Sequence, residues 1–166
     1  MSGPRIQAAP LTAEAFAPFG DVIEARGAPD IMINQGRCGR FHDRARLDFG
    51  DEGRAGLSLF DAEAETLPAS LGMMERHPLG SQAFVPMDPV AMLICVAPDA
   101  SGRPGEPRAF LSQPGQAVNL MRGVWHGVLN PIGGPGRFLV IDRIGAGDNL
   151  EEHWFEHPIT VQGDLS

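Results

Sequence analysis

Short apolar runs separated by glycine and proline set the pattern of this chain. IMIN (31–34), GLSLF (56–60), AFVPM (83–87), VAMLICVA (90–97), RAFLS (108–112), AVNLM (117–121) and RFLVIDR (137–143) are each of strand length. The 21 glycines and 15 prolines fall mostly between them. Strands of this length, regularly punctuated by turn residues, predict an all-β sandwich or barrel. Helical periodicity over ten or more residues is scarce. One short helix is expected near the start, with Thr12 as N-cap, Glu14 in the first turn and Pro18 to Gly20 as the stop. APDASGRPGEP (97–107) and NPIGGPG (130–136) read as loops, and the acidic end EEHWFEHPITVQGDLS reads as a surface or partner-facing segment.

One stretch departs from the apolar pattern. In MMERHPLGSQAFVPM (73–87), Glu75, Arg76 and His77 follow one another, and Gln82 stands among apolar neighbours. A charged group removed from water without a partner is costly, so these side chains either face solvent or converge on something. Read as strand, turn, strand, the segment puts Glu75 and His77 on one face and Arg76 on the other. Gln82 and Phe84 then share a face beyond the turn. If both strands line a small barrel, Glu75, His77 and Gln82 meet inside it, as polar groups do at ligand sites in barrel mouths. Arg76 is left for a surface or subunit salt bridge.

Composition narrows the chemistry. A chain of 166 residues, 43% hydrophobic, fits one domain, 1–166, with a substantial core. No apolar run approaches the ~20 residues that cross a bilayer, and the start has no apolar signal region, so no membrane association is expected. The two cysteines, Cys38 and Cys95, make no disulfide framework, which makes a reducing cytoplasm the default. The net charge of −8 gives no basic footprint for nucleic acid. All 13 basic residues are arginine, so Schiff-base chemistry through lysine is excluded, and the chain has no tyrosine. Acid–base work falls to His, Glu, Asp, Cys, metal-bound water or the substrate itself. Gly145-x-Gly147 lacks the third glycine and the helix of a dinucleotide fingerprint, so no nucleotide cofactor is expected.

A second segment, MRGVWHGVLN (121–130), spaces Gly123, His126 and Asn130 as G-x-x-H-x-x-x-N. Together with Glu75-x-His77 and Gln82 it resembles the two halves of the cupin signature in degenerate form, with Met121 where the signature has proline. That resemblance implies a cupin-type double-stranded β-helix, a small β-barrel with one or two short peripheral helices. It also implies Glu75, His77, Gln82 and His126 as the positions that commonly hold one divalent metal ion. Two imidazoles and a carboxylate suit Zn, Mn, Fe or Ni. The competing reading is that His77 and His126 are hydrogen-bonded wall residues.

A narrower resemblance covers residues 11 to 149. ERHPLGSQAFVPM, VNLMRGVWH, FLVIDRIGAGDN, FGDVIE and INQGRCGRFHD stand in the order and spacing of ureidoglycolate lyases. It departs at Asn119-Leu120-Met121, where the family usually has Asn-Tyr-His, and at Trp125-His126-Gly127, where it often has Trp-His-His. The resemblance implies a carbon–nitrogen lyase that splits ureidoglycolate into glyoxylate and urea in allantoin breakdown, acting as a homodimer. It implies Glu75, His77 and His126 as the chemical groups. Gln82, Arg122, Arg143, Arg40 and Asn34 are the groups expected on the substrate, with an arginine as the natural clamp for its carboxylate. Arg122 reads equally as a turn cap, and Asp142 with Arg143 as a structural pair. His42 stands as an edge residue, and His153 and His157 share a helical metal spacing with little helix to hold it. The other classes open to these residues are a different metal-dependent cupin enzyme, such as a dioxygenase or isomerase, and a cupin that binds a small carboxylate without turnover.

Overall fold

The computed structural model describes residues 3–165. Along the chain run β1 (Arg5–Gln7), β2 (Ala9–Pro10), α1 (Ala13–Phe16), β3 (Gly20–Ile23), β4 (Ile31–Ile33), β5 (Cys38–Arg40), β6 (Arg54–Ala62) and β7 (Ala69–Arg76). There follow β8 (Gln82–Pro86), β9 (Ala91–Ala97), β10 (Arg108–Leu111), β11 (Ala117–Leu120), β12 (Trp125–His126), β13 (Asn130–Ile132), β14 (Gly136–Ile144) and β15 (Glu151–Gln162). The expected helix is present: Thr12 is its N-cap and accepts the Ala15 N–H on its side chain.

The larger sheet runs β1-β15-β7-β12-β9-β10-β2, with β13 also on β9; the smaller runs β3-β11-β8-β14-β6. β1 and β2 occupy opposite ends of the larger sheet and are separated only by Ala8. β1 pairs β15 while β2 pairs β10, so one short stretch of chain straps the two ends together and the sheet curls into a nearly closed barrel. The all-β, cupin-type architecture follows from this curl with the second sheet packed against it.

Strand β9 explains the packing. Met92, Ile94 and Val96 enter the core shared with the smaller sheet, against Phe84, Val118, Leu120 and Val140. Leu93, Cys95 and Ala97 point the other way, into a second core with Leu71, Trp125, Ile159 and Val161. A strand buried on both faces reads as a continuous apolar run, which is why VAMLICVA shows no alternation. Each large aliphatic or aromatic side chain sequestered here contributes about 1.5–3 kcal/mol, more than an exposed ion pair.

Two segments form strands that their sequence reading did not give. The acidic C-terminal stretch is strand β15, held between β1 and β7. Asn130–Ile132, inside the expected loop 130–136, pairs with β9. β9 is the one full strand beside β13 among the described residues; on the other side only Glu65 bridges to it, donating its N–H to the Pro131 carbonyl at 2.8 Å, so Pro131 needs no N–H there.

Candidate active site

The mouth of the inner core is built by both sheets. Glu75 on β7 lies directly across from His126 on β12. His77 follows the end of β7, and its carbonyl accepts the Gly123 N–H at 2.9 Å. Gln82 opens β8 in the smaller sheet, between Leu120 and Asp142. Ligand atoms of Glu75, His77 and His126 all lie within 4.8 Å of one another. The two imidazoles are 5.2 Å apart between centroids, and His77 Nε2 is 3.8 Å from Glu75 Oε1. Glu75, Gln82 and His126 line a cavity of about 400 Å³ whose other walls include Phe60, Phe84 and Val128.

Hydrogen bonds fix which atoms face inward. His77 Nδ1 lies 2.8 Å from the Asn149 carbonyl and His126 Nδ1 lies 3.0 Å from the Gly127 carbonyl. A carbonyl only accepts, so each Nδ1 carries a hydrogen, and in the neutral imidazole it is Nε2 that keeps the lone pair. Gln82 Nε2 donates to Asp142 Oδ2 at 3.2 Å. The atoms left over, His77 Nε2, His126 Nε2 and Gln82 Oε1, are buried and have no partner among the described residues. An unsatisfied buried polar atom costs about 1–3 kcal/mol. Glu75, His77 and His126 thus form a group that could hold a metal ion, each imidazole oriented by an outer carbonyl as metal-binding histidines are.

The electrostatics agree. Burial pushes the Glu75 carboxyl above its ordinary range; His77 partly offsets this, and Glu152, its cross-strand neighbour on β15, adds to it. His126 is fully buried and is pushed down to about 4, with the Gly127 carbonyl opposing the shift and His77 adding to it. At neutral pH His126 is therefore a neutral imidazole, an acceptor rather than an acid.

The remaining candidates lie elsewhere. Arg76 faces away from Glu75, bonded to Asp99 and Glu151, its guanidinium 4.7 Å above the Trp125 ring. Arg122 is held in a fork by Asp48 at 2.7 and 2.9 Å. Arg143 donates to the Phe49 carbonyl and threads between Gly53 and Gly80, where a Cβ would come within 2.6 and 2.8 Å of it. Both thus fasten the 48–53 segment to the smaller sheet. Arg40 is exposed on β5, and Asn34 is exposed in the β4–β5 turn with φ of 53°. Among the described residues no arginine lines the cavity. His42 is exposed and binds Asp30 through its backbone. His153 and His157 lie on strand β15, not on a helix, and His153 packs between Trp125 and Phe155. Asp142 and the Asn149 carbonyl, which orient Gln82 and His77, had no signal in the sequence beyond lying in the block FLVIDRIGAGDN.

A cupin-type barrel carrying two inward-facing imidazoles, a carboxylate and an amide oxygen at its mouth places this chain among small-molecule-binding cupins. The comparison with known families is more specific: the ureidoglycolate lyase model matches residues 3–162. The chain is 62% identical over 159 residues to the ureidoglycolate lyase of Rhodobacter capsulatus, covering 96% of this chain and 99% of that one. It is 52% identical to the ureidoglycolate lyase of a Chelativorans species (95% and 96% covered) and 52% identical to ureidoglycolate lyase 2 of Rhizobium meliloti (92% and 94%). The chain belongs to the ureidoglycolate lyase family.

The departures from the family pattern can now be placed. A side chain at Gly127 would point toward Leu71 and Cys95, into the second core and away from the cavity. Met121 meets Arg46 on the far side of the smaller sheet, Sδ to Nη2 3.8 Å. Only Leu120 belongs to the inner core.

Proposed function

We propose that this protein cleaves ureidoglycolate to glyoxylate and urea, with the reaction carried by the cavity of Glu75, His77, Gln82 and His126. The observation that carries it is the set of three buried, unpartnered acceptors around Glu75 in a chain of this family. The donor set suits one divalent cation held by His77, His126 and Glu75, with Gln82 Oε1 in support. When bound, such an ion would polarise the carbinol hydroxyl and balance the substrate carboxylate, a charge that no arginine of the cavity wall meets.

The reaction moves one proton. The carbinol O–H loses it, the C–N bond breaks as the C=O of glyoxylate forms, and the departing urea nitrogen gains it. Glu75 is the carrier. Neither of its oxygens is hydrogen-bonded among the described residues, and in the cation-free site burial holds its pKa above the ordinary carboxylate range. Oε1 faces His77, which leaves Oε2 to take the proton from oxygen and return it to nitrogen. His126, neutral and fixed through Nδ1, serves as ligand and orienting acceptor. Phe60, Phe84 and Val128 give the cavity an apolar wall. Arg122 and Arg143 act on the site only by fastening the 48–53 segment. Glu75→Gln keeps the shape and removes the carrier. We expect kcat to fall by about 10²–10⁴-fold with the thermal midpoint kept or raised, as a buried carboxylate is removed. Retention of wild-type kcat would overturn the assignment.

The active form is proposed to be a homodimer. Leu57 and Leu59 on edge strand β6 are 70% and 71% exposed. Unpaired edges and apolar faces of this kind are covered in stable proteins. A cytoplasmic location fits the exposed free thiol of Cys38.

A further inference from the structure

We infer that Asp142 is a positioning residue, one that fixes which end of the Gln82 side-chain amide faces the cavity. The inference rests on the cation reading given above.

Gln82 is 5% exposed and has two ends of opposite character, an NH₂ that only donates and a carbonyl oxygen that only accepts. Which end faces the cluster decides what the site can hold. Turned one way, the amide presents N–H groups beside Glu75 and repels a cation. Turned the other way, it presents an oxygen and adds a ligand. The cluster itself does not choose: a cation would favour the oxygen, but a free carboxylate at Glu75 would favour the N–H.

Asp142 removes the ambiguity before anything binds. It lies directly across from Gln82 in the β8–β14 ladder, and its Oδ2 is 3.2 Å from Gln82 Nε2. A carboxylate has no hydrogen to give, so the amide nitrogen must face it and Oε1 must face away. Oε1 is the atom that is buried without a partner, and Gln82 lines the cavity together with Glu75 and His126. The result is a mouth lined by acceptors alone: His77 Nε2, His126 Nε2, the Glu75 carboxylate and Gln82 Oε1. Asp142 is absent from the cavity wall and acts only through Gln82.

Isothermal titration of the purified, chelator-stripped protein with Ni²⁺ or Zn²⁺ alone tests this without reference to turnover. Wild type should bind one equivalent. Asp142→Ala should bind about 10–100-fold more weakly, the range typical when a partner behind a metal ligand is lost. Asp142→Asn, which can donate as well as accept and so no longer dictates which end of the Gln82 amide faces it, should also bind more weakly than wild type. In a Gln82→Ala background, Asp142→Ala should cost nothing further, which a merely structural role would not produce. Equal affinity for wild type and Asp142→Ala, or a full loss that persists in the Gln82→Ala background, would overturn the role of Asp142 and leave the cation site standing. No binding by wild type would overturn the cation reading itself. Should Asp142→Ala not fold, the wild-type protein suffices: the Gln82 carbonyl ¹³C resonance should shift on Zn²⁺ binding while its NH₂ hydrogens stay protected. An unmoved carbonyl with the NH₂ perturbed instead would contradict the inference.

Discussion

At the scale of the residue, the site depends on each group being in one protonation and orientation state. His126 is the sharpest case. Its pKa is pushed down to about 4 by burial, whereas an unfolded histidine titrates near 6.5. Between these values the unfolded chain binds a proton that the folded chain does not. Stability from this group is therefore full above pH 6.5 and falls as pH drops toward 4, by roughly 3 kcal/mol over the window. Glu75 works in the opposite sense: its raised pKa gives stability that is present at low pH and lost as pH rises through the folded value. Imidazole NMR should show His126 neutral, with its hydrogen on Nδ1, down to about pH 4. A His126 midpoint near 6.5 in the folded metal-free protein would contradict the burial argument.

At the scale of the element, packing outweighs surface pairing. Phe110 on β10 is fully buried and meets Phe16 of α1 edge-on at 5.5 Å, so it ties the helix to the larger sheet. Phe110→Ala should cost about 3–5 kcal/mol in urea unfolding. A loss under 1 kcal/mol would mean that the helix is not anchored there. The elements that the residue pattern revealed are those with a buried face. β9, β10, β11 and β14 carry apolar runs, and Thr12 with Glu14 marks α1. The same alternation put Glu75 and His77 on one face and Arg76 on the other, because a strand offers only two faces. β15 gave no such signal: most of its first eight residues are exposed, and its pairing with β7 shifts between Trp154 and Ile159. β13 was hidden by Pro131. The arginines were harder still. Arg122 and Arg143 owe their surroundings to the irregular 48–53 segment, whose path no periodicity encodes. Asp142 resembled the end of any strand until its opposite number was known to be Gln82.

At the scale of the whole molecule, the 21 acidic against 13 basic residues give a net charge of −8. The outer face of β6 stands out as apolar, and it is the face we assign to the partner subunit. Replacing Leu57 and Leu59 together by glutamate should convert a dimer to a monomer in light scattering while the far-ultraviolet dichroism stays unchanged. A dimer that survives both charges uses another face. The cavity is bounded by Phe60 of this same strand, so changes in assembly should be read alongside substrate affinity.

The most direct test of the account is product release from ureidoglycolate by the purified protein, before and after exhaustive chelation. A lyase working through a cation at Glu75, His77 and His126 releases equimolar urea and glyoxylate, and its activity is lost on chelation and restored by a single divalent metal. No products in either state, or a rate unchanged by chelation, would contradict it.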